Sequence, residues 1–86
     1  MSLALAWWPE AEEDLRGIQS WQDAAWIDTE VRRYAEHGIG DLRRVVLPSG
    51  ERALVLFVPG YRVLMTFDRF ARTLHVWRVL RSVSSG

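Results

Sequence analysis

The sequence predicts a two-layer α+β domain, in which an N-terminal pair of helices packs on one face of a mostly antiparallel β-sheet. Three observations predict this fold. Apolar residues recur at helical spacing before Gly40 and at every second position after it. Short turns at residues 48–51 and 59–60 join the later segments and therefore require antiparallel hairpins. A helical pair with one apolar stripe must bury that stripe against the sheet, which gives two layers.

The first elements are a short strand and a helix. Residues 3–7 are an apolar run that we expect to form an edge or buried strand. Pro9 suits the first turn of a helix, and acidic residues follow it at the positive end of the helix dipole. Gly17 weakens the end of this helix. The apolar stripe of the helix consists of Ala11, Leu15 and Ile18.

A second helix follows almost at once. Ser20 with Asp23 resembles a capping box at its start, and Gly38 and Gly40 end it. The two helices are nearly contiguous, so they form either a tight hairpin or one bent helix. The residues that share the apolar face of the second helix are Ala24, Ile27, Val31, Tyr34 and Ala35.

Four strands are predicted after Gly40, at residues 42–47, 52–58, 61–68 and 73–80. The predicted order is therefore β-α-α-β-β-β-β. In the third of these strands, alternation places two sets of side chains on opposite faces. One set is Tyr61, Val63, Met65 and Phe67, and the other is Arg62, Leu64, Thr66 and Asp68.

The length of 86 residues allows a single core, so we expect one domain at residues 1–82 and a flexible tail at 83–86. The chain has no Cys, which excludes disulfides and thiolate metal sites and fits a reducing cytoplasm. Its His, Asp and Glu residues have no metal-ligand spacing, and no phosphate-binding loop pattern occurs. We therefore expect neither a metal nor a cofactor. No apolar run approaches the roughly 20 residues that span a bilayer.

Charge is divided between the two halves of the chain, although the net charge is zero. Residues 1–41 hold nine acidic residues against three Arg, and residues 42–86 hold eight Arg against two acidic residues. All eleven basic residues are Arg, whose planar fork binds phosphates and carboxylates. The division predicts either an anion-binding sheet face or simply a solvated helical layer opposite a solvated sheet.

The five Trp residues are many for so short a chain. We expect Trp7 and Trp77 to fill the core. Trp8, Trp21 and Trp26 cannot all face the layer that the second helix packs against. At least one of them is therefore predicted to be exposed as an anchor for a partner, unless all three pack around a bent helix.

Four stretches, in this order along the chain, resemble segments of one known family. They are residues 8–15 (WPEAEEDL), 40–43 (GDLR), 59–68 (PGYRVLMTFD) and 73–81 (TLHVWRVLR). The family is the RelE/ParE superfamily of toxins from type II toxin–antitoxin modules. The Tyr–Arg hairpin of the third stretch is the most specific of the four, and together they span nearly the whole chain.

The resemblance implies a fold of two helices on a mostly antiparallel sheet, and it implies a cognate antitoxin as partner. RelE-like members cleave mRNA in the ribosomal A site, whereas ParE-like members poison DNA gyrase. Fold alone does not decide between these targets. A third interpretation is a catalytically degenerate toxin-fold protein that acts as a non-enzymatic binding module.

Arg62 matches the arginine of the Tyr–Arg hairpin, which in the ribonuclease members contacts the scissile phosphate. A permanently charged fork at this position can stabilise a developing phosphorane. The alternative is a structural charge pair with Asp68. Arg81 falls near the C-terminal basic position of the family, where it would bind phosphate. It is too basic to be a general acid, and the alternative is a solvated strand end.

Four further residues are candidates for contacts with nucleic acid or another target. Arg43, Arg44 and Arg52 add positive potential to their strands, or they are ordinary surface arginines. His75 is expected on the same face as Trp77 and Arg81. It is either a general acid–base group or a core or interface histidine.

The chain departs from the ribonuclease pattern at two strand positions. Ala53 and Val55 stand where RelE-like members carry catalytic lysines. No Tyr or His follows Arg81, so the acid–base set of such a ribonuclease is incomplete. The remaining histidine, His37, lies at a predicted helix C-terminus and is read as structural.

Overall fold

The computed structural model describes residues 2–82, which form two helices and five strands in the predicted order. The fold class is confirmed, and the two helical segments are separate helices. The predicted tail at residues 83–86 lies outside the described part of the chain. The elements are β1 (Ala4–Trp7), α1 (Pro9–Arg16), α2 (Trp21–His37), β2 (Asp41–Val46), β3 (Arg52–Val58), β4 (Tyr61–Asp68) and β5 (Thr73–Arg81).

The ends of α2 follow from local chemistry. The Ser20 hydroxyl accepts a hydrogen bond from the backbone N–H of Asp23 at 3.2 Å, which satisfies a donor that has no partner within the helix. Gly38 adopts the left-handed conformation, with φ of 69°, and its N–H bonds the carbonyl of Tyr34. The predicted start and end of α2 are both confirmed.

All five strands belong to one sheet with the order β1-β5-β4-β3-β2. β1 pairs with β5 in parallel, and the other neighbours are antiparallel. The helices cover one face of this sheet, which we call the helix-side face. The buried residues that join the two layers are Ala11, Ile27, Val31, Ala35, Leu56, Val58, Tyr61, Val63, Met65, Leu74, Val76 and Val79.

The other face of the sheet carries no helix, and we call it the open face. Cross-strand partners point to the same side, so the register identifies its members. Three rows cross the open face of the sheet. They are Arg43–Val55–Leu64–Arg78, Asp41–Phe57–Arg62–Leu80 and Thr66–His75–Ala6.

A β-bulge in β5 changes which side chains share a face. Leu64 pairs with Arg78 and Met65 pairs with Val76, so Trp77 is the extra residue. Beyond the bulge the alternation is reversed, and Arg81 pairs with Tyr61 on the helix-side face. The expectation that His75 and Arg81 share a face is therefore wrong. Strict alternation across residues 73–80 did not allow for an inserted residue.

Four of the five tryptophans are exposed. Trp77 was expected in the core, but it lies on the open face and is 36% exposed, so that prediction is wrong. Trp7 packs against the core as predicted. Trp8, Trp21 and Trp26 are all exposed, which confirms that at least one of them would be.

Within residues 2–82, no helix is both long and apolar enough to cross a membrane.

Candidate functional site

Arg62 lies on the open face among apolar neighbours. Its cross-strand partners are Phe57 on β3 and Leu80 on β5. It is exposed, and no ion pair between residues 2 and 82 involves it. The alternative of a charge pair between Arg62 and Asp68 is therefore not observed. Arg62 is free to meet an anion from solvent.

Phe57 brings a second cation to the same place. The Cζ atom of Arg43 lies 5.2 Å from the centroid of the Phe57 ring, which is within cation–π range. The same ring is the cross-strand neighbour of Arg62. Arg43 and Arg62 thus both adjoin one aromatic side chain, whose partner on β2 is the exposed acidic residue Asp41. Sequence reasoning did not single out Phe57, because its importance depends on the pairing of three strands.

The floor of the open face is apolar. Ala53 is 5% exposed and Val55 is 7% exposed, although no helix covers them and neither belongs to the core between the layers. Val55 lies between Arg43 and Leu64. Ala53 and Val55 occupy the two positions where RelE-like members carry catalytic lysines, so this apolar floor beside the arginines has no titratable group at either position.

An aromatic cluster occupies the β5 side of the open face. The indole rings of Trp8 and Trp77 stack with centroids 3.8 Å apart and planes inclined by 24°. The Nε1–H of Trp8 donates to Nδ1 of His75 at 3.2 Å. The Nε1–H of Trp77 donates to the hydroxyl of Thr66. Both indoles therefore have satisfied donors and fixed orientations.

These bonds define the state of His75. Because Nδ1 accepts from Trp8, the ring proton of neutral His75 belongs on Nε2. The ring is half-buried on the open face, outside the core. Thr66 is its cross-strand partner, four residues along β4 from Arg62, which is about 13 Å at 3.3 Å per residue. Arg62 and His75 therefore lie at separate positions along the open face.

The other predicted site residues lie on the helix-side face. Arg44 pairs with Leu54, Arg52 with Val46, and Arg81 with Tyr61. The structure brings Arg43, Arg62 and His75 onto one face and separates them from Arg44, Arg52 and Arg81.

Arg81 borders a groove of about 590 Å³ between α1, α2 and the sheet. At its base the hydroxyl of Tyr61 donates to a carboxylate oxygen of Asp23 at 2.9 Å. This hydrogen bond raises the pKa of Tyr61, and burial adds to the rise. Asp23, which was expected to complete a capping box, instead bonds the sheet. The groove is lined by Glu13, Asp14, Gly17, Ile18, Gln19, Ser20, Asp23, Tyr61, Val79 and Arg81.

Arg78 is committed to a structural contact. Its Nε and one terminal nitrogen donate to the carboxylate of Asp14 at 2.8 and 3.2 Å. The side-chain hydrogen bond from Arg78 holds the pKa of Asp14 below its ordinary value, with a further contribution from the backbone N–H of Val79. Arg78 is therefore less available to a ligand than Arg43 or Arg62.

The open face can thus bind anions through Arg43 and Arg62, next to an apolar floor and an aromatic cluster. Proton transfer at an Arg62-bound group would need a partner from outside its immediate neighbours, which are apolar. Among residues 2–82, no cluster of His, Cys, Asp and Glu could hold a metal ion.

The fold is similar to those of solved toxin–antitoxin complexes. A chain of the RelBE2 toxin–antitoxin complex from Mycobacterium tuberculosis matches with a TM-score of 0.82 and 13% sequence identity, over 95% of this chain and 93% of that one. A chain of the intact Escherichia coli RelBE toxin–antitoxin complex matches with a TM-score of 0.53 and 16% identity, over 95% and 99% of the two chains.

Sequence comparison adds no assignment. No protein-family model matches the chain, and no curated protein matches it significantly. The likeness is therefore one of backbone architecture over almost the full length. Two helices on a five-stranded, mostly antiparallel sheet are what the RelE/ParE resemblance implied, and this chain has the RelE toxin fold.

Proposed function

We propose that this chain is the toxin component of a type II toxin–antitoxin module, acts in the cytoplasm to inhibit growth, and is neutralised by a cognate antitoxin. The observation that carries the proposal is the uncovered sheet face with Arg43 and Arg62 beside Phe57. The likeness to chains of RelBE complexes over 95% of the sequence supports it.

The open face has the chemistry of a surface that a partner covers. Its floor is apolar, and the exposed arginines Arg43 and Arg62 have no ion-pair partner within residues 2–82. Acidic segments of an antitoxin would pair with these arginines, and apolar side chains would cover the floor. Both contributions would be strongest once water is excluded.

The surroundings of Arg62 favour inhibition by binding over inhibition by RNA cleavage. Its strand neighbours Phe57 and Leu80 cannot move protons. A toxin that binds DNA gyrase needs only a complementary surface. A degenerate binding module would also need no acid–base set, but it would not arrest growth.

Ribosome-dependent mRNA cleavage is the second candidate, and His75 is the observation that favours it. The hydrogen bond from Trp8 orients its ring and leaves Nε2–H as a hydrogen-bond donor to a substrate. In this interpretation Arg62 contacts a phosphate, and His75 acts on a neighbouring nucleotide.

The test is induced expression of the chain, alone and together with the open reading frame beside its gene. We expect growth to stop when the chain is expressed alone and to recover when the neighbour is co-expressed. Expression that leaves growth unchanged in both strains, at protein levels verified by immunoblot, would refute the toxin proposal.

Two assays in vitro separate the modes of action. Gyrase-trapped DNA breaks with intact mRNA would identify a gyrase poison. Ribosome-dependent mRNA cleavage that is lost in Arg62→Ala would identify a ribonuclease and overturn the preference for binding. Stable binding to a partner without either activity or growth arrest would identify a degenerate module.

A further inference from the structure

The turn between β4 and β5 presents a phenylalanine to solvent between arginines. Phe70 is 100% exposed, although a large apolar side chain on a short turn has a favourable alternative in packing. Arg69 and Arg72 on either side are also exposed. Nothing in the fold explains why Phe rather than a polar residue occupies the tip.

The exposure of Phe70 is built into the turn. One carboxylate oxygen of Asp68 accepts the backbone N–H groups of Phe70 and Ala71 at 3.0 and 3.1 Å. The hydroxyl of Thr73 donates to the carbonyl of Ala71 at 3.0 Å. Asp and Thr side chains bonded in this way fix the backbone of a turn. The backbone of Phe70 is therefore held at the tip of the turn.

The base of the turn is fixed as well. The backbone N–H of Ala4 donates to the carbonyl of Arg72 at 3.1 Å, which attaches the turn to the start of β1. Arg72 has a positive φ of 50°, a conformation that an L-residue adopts at some cost. A turn that maintains this backbone presents its side chains in a fixed arrangement.

The charge at the tip is positive. Asp68 is the acidic residue of the turn, and one of its oxygens serves the two backbone N–H groups. Neither Arg69 nor Arg72 takes part in an ion pair in the described chain. The tip therefore offers one aromatic ring and two unpaired guanidinium groups to a partner.

The size of the tip decides between two classes of partner. A stable protein interface buries roughly 800 Å² on each side and uses about 20–30 residues, which a turn of four residues does not supply. Contact with a single nucleotide step needs only a ring for the base and cations for the flanking phosphates. An aromatic ring between arginines matches an unstacked base in single-stranded nucleic acid.

We propose that this turn is a single-stranded nucleic-acid contact, in which Phe70 stacks on an unpaired base and Arg69 and Arg72 bind the adjacent phosphates. The contact is distinct from the surface around Arg62. Asp68 and Arg62 are six residues apart on β4, which is about 20 Å. The proposal goes beyond the toxin function, because it assigns a ligand class to a second surface and is tested by binding alone.

The experiment measures fluorescence anisotropy of a fluorescein-labelled 12-nucleotide single-stranded RNA, and of DNA with the same sequence, titrated with the purified full chain. We expect Phe70→Ala to weaken binding about 5- to 150-fold, as loss of one base–aromatic stack does. Phe70→Trp should restore the affinity. Arg69→Ala should reduce the slope of log K against log salt by about 0.7.

The matched control is Trp21→Ala on α2. Trp21 is 72% exposed, so this variant also removes an exposed aromatic side chain, but from the acidic half of the chain. We expect it to bind both oligonucleotides as the unmodified chain does. The thermal unfolding midpoint of Phe70→Ala should equal that of the unmodified chain, because the side chain is fully exposed.

Three results would overturn the proposal. The first is that Phe70→Ala binds the oligonucleotides as tightly as the unmodified chain. The second is that Trp21→Ala loses as much oligonucleotide affinity as Phe70→Ala. The third is that Phe70→Ala loses as much affinity for inorganic polyphosphate as it loses for the oligonucleotides. The last result would mean that the tip senses charge and not bases. A chain that binds RNA through Phe70 without arresting growth would leave this inference intact and refute the toxin proposal.

Discussion

Asp14 on α1 and Arg78 on β5 form an ion pair in which two guanidinium nitrogens donate to both carboxylate oxygens, at 2.8 and 3.2 Å. The backbone N–H of Val79 donates to the same carboxylate at 2.9 Å. The pair lies directly after the bulged residue Trp77. It attaches the first helix to β5 at the point where the ladder of this strand is irregular.

The Asp14 contact is expected to stabilise the fold near neutral pH. Asp14→Asn keeps the shape of the side chain but removes its charge. We expect it to lower the free energy of unfolding by about 1 kcal/mol, near the low end for a charged hydrogen bond, because Arg78 is half exposed. Urea unfolding at pH 7 measures this loss. Glu13→Gln is the matched control, because the adjacent Glu13 is exposed and outside the described ion pairs.

The same variant predicts a dependence on pH. The pKa of Asp14 is lowered in the folded chain, chiefly by the hydrogen bond from Arg78. The stability that ionised Asp14 contributes is therefore fully present above its unfolded pKa of about 3.9. It is lost as pH falls through the lower pKa that Asp14 has in the folded chain. Below that folded pKa, the unmodified chain and Asp14→Asn should have the same free energy of unfolding. A difference that persists unchanged at pH 2 would contradict this origin.

The stacked pair of Trp8 and Trp77 is expected to be energetically coupled. Each single substitution by Ala should destabilise the chain, and the double variant should lose less than the sum. The expected coupling is about 0.5–1.5 kcal/mol, the contribution of an aromatic pair beyond burial. Chemical unfolding of the four proteins gives this quantity.

The control cycle pairs Trp8 with Trp21, which lies on α2 and is mostly exposed. Its two substitutions should add without coupling. If the Trp8–Trp77 cycle is additive as well, the stack makes no net contribution to the stability of the fold.

Local chemistry made most of the fold predictable. Ser20 and Gly38 mark the ends of α2 because each satisfies backbone groups within a few residues. β3 and β4 begin and end where their turns predict. These signals are contained in short segments, so they do not depend on how distant parts of the chain meet.

The candidate site was less predictable, because its geometry is non-local. Trp8 and His75 are 67 positions apart, and no local pattern indicates their hydrogen bond. The bulge at Trp77 reverses the alternation of β5 and moves Arg81 away from the face of Arg62. Arg62 itself was placed correctly on its strand, since β4 alternates without interruption from the turn.

A side chain at Gly40 is expected to destabilise the fold, because the space beside this residue is filled by Leu56. A Cβ atom at this position would lie 2.8 Å from Cδ1 of Leu56, which is fully buried. We expect Gly40→Ala to cost about 1–3 kcal/mol of stability through overpacking. Thermal or urea unfolding tests this.

Gly17→Ala serves as the comparison for Gly40→Ala. Gly17 has a right-handed helical conformation, and an added Cβ would meet only ordinary contacts at 3.5 Å. This variant should be neutral or more stable by up to about 1 kcal/mol. Equal destabilisation by both substitutions would mean that the close approach to Leu56 is not the cause.

Arg62 and Arg81 are expected to differ in their effect on growth, because pairing in the sheet places them on opposite faces. Arg62 is exposed beside Phe57 and Arg43, whereas Arg81 is the partner of Tyr61 at the helix-side groove. If the open face meets the target, Arg62→Ala should raise the number of colonies that survive induction by at least about tenfold, which corresponds to about 1.4 kcal/mol of lost binding at limiting toxin. Arg81→Ala removes the same charge from the other face and should leave toxicity unchanged.

Both variants require equal protein levels by immunoblot and unchanged unfolding midpoints. Equal loss of toxicity in the two variants, or loss in Arg81→Ala alone, would move the functional surface from the open face to the groove beside Tyr61.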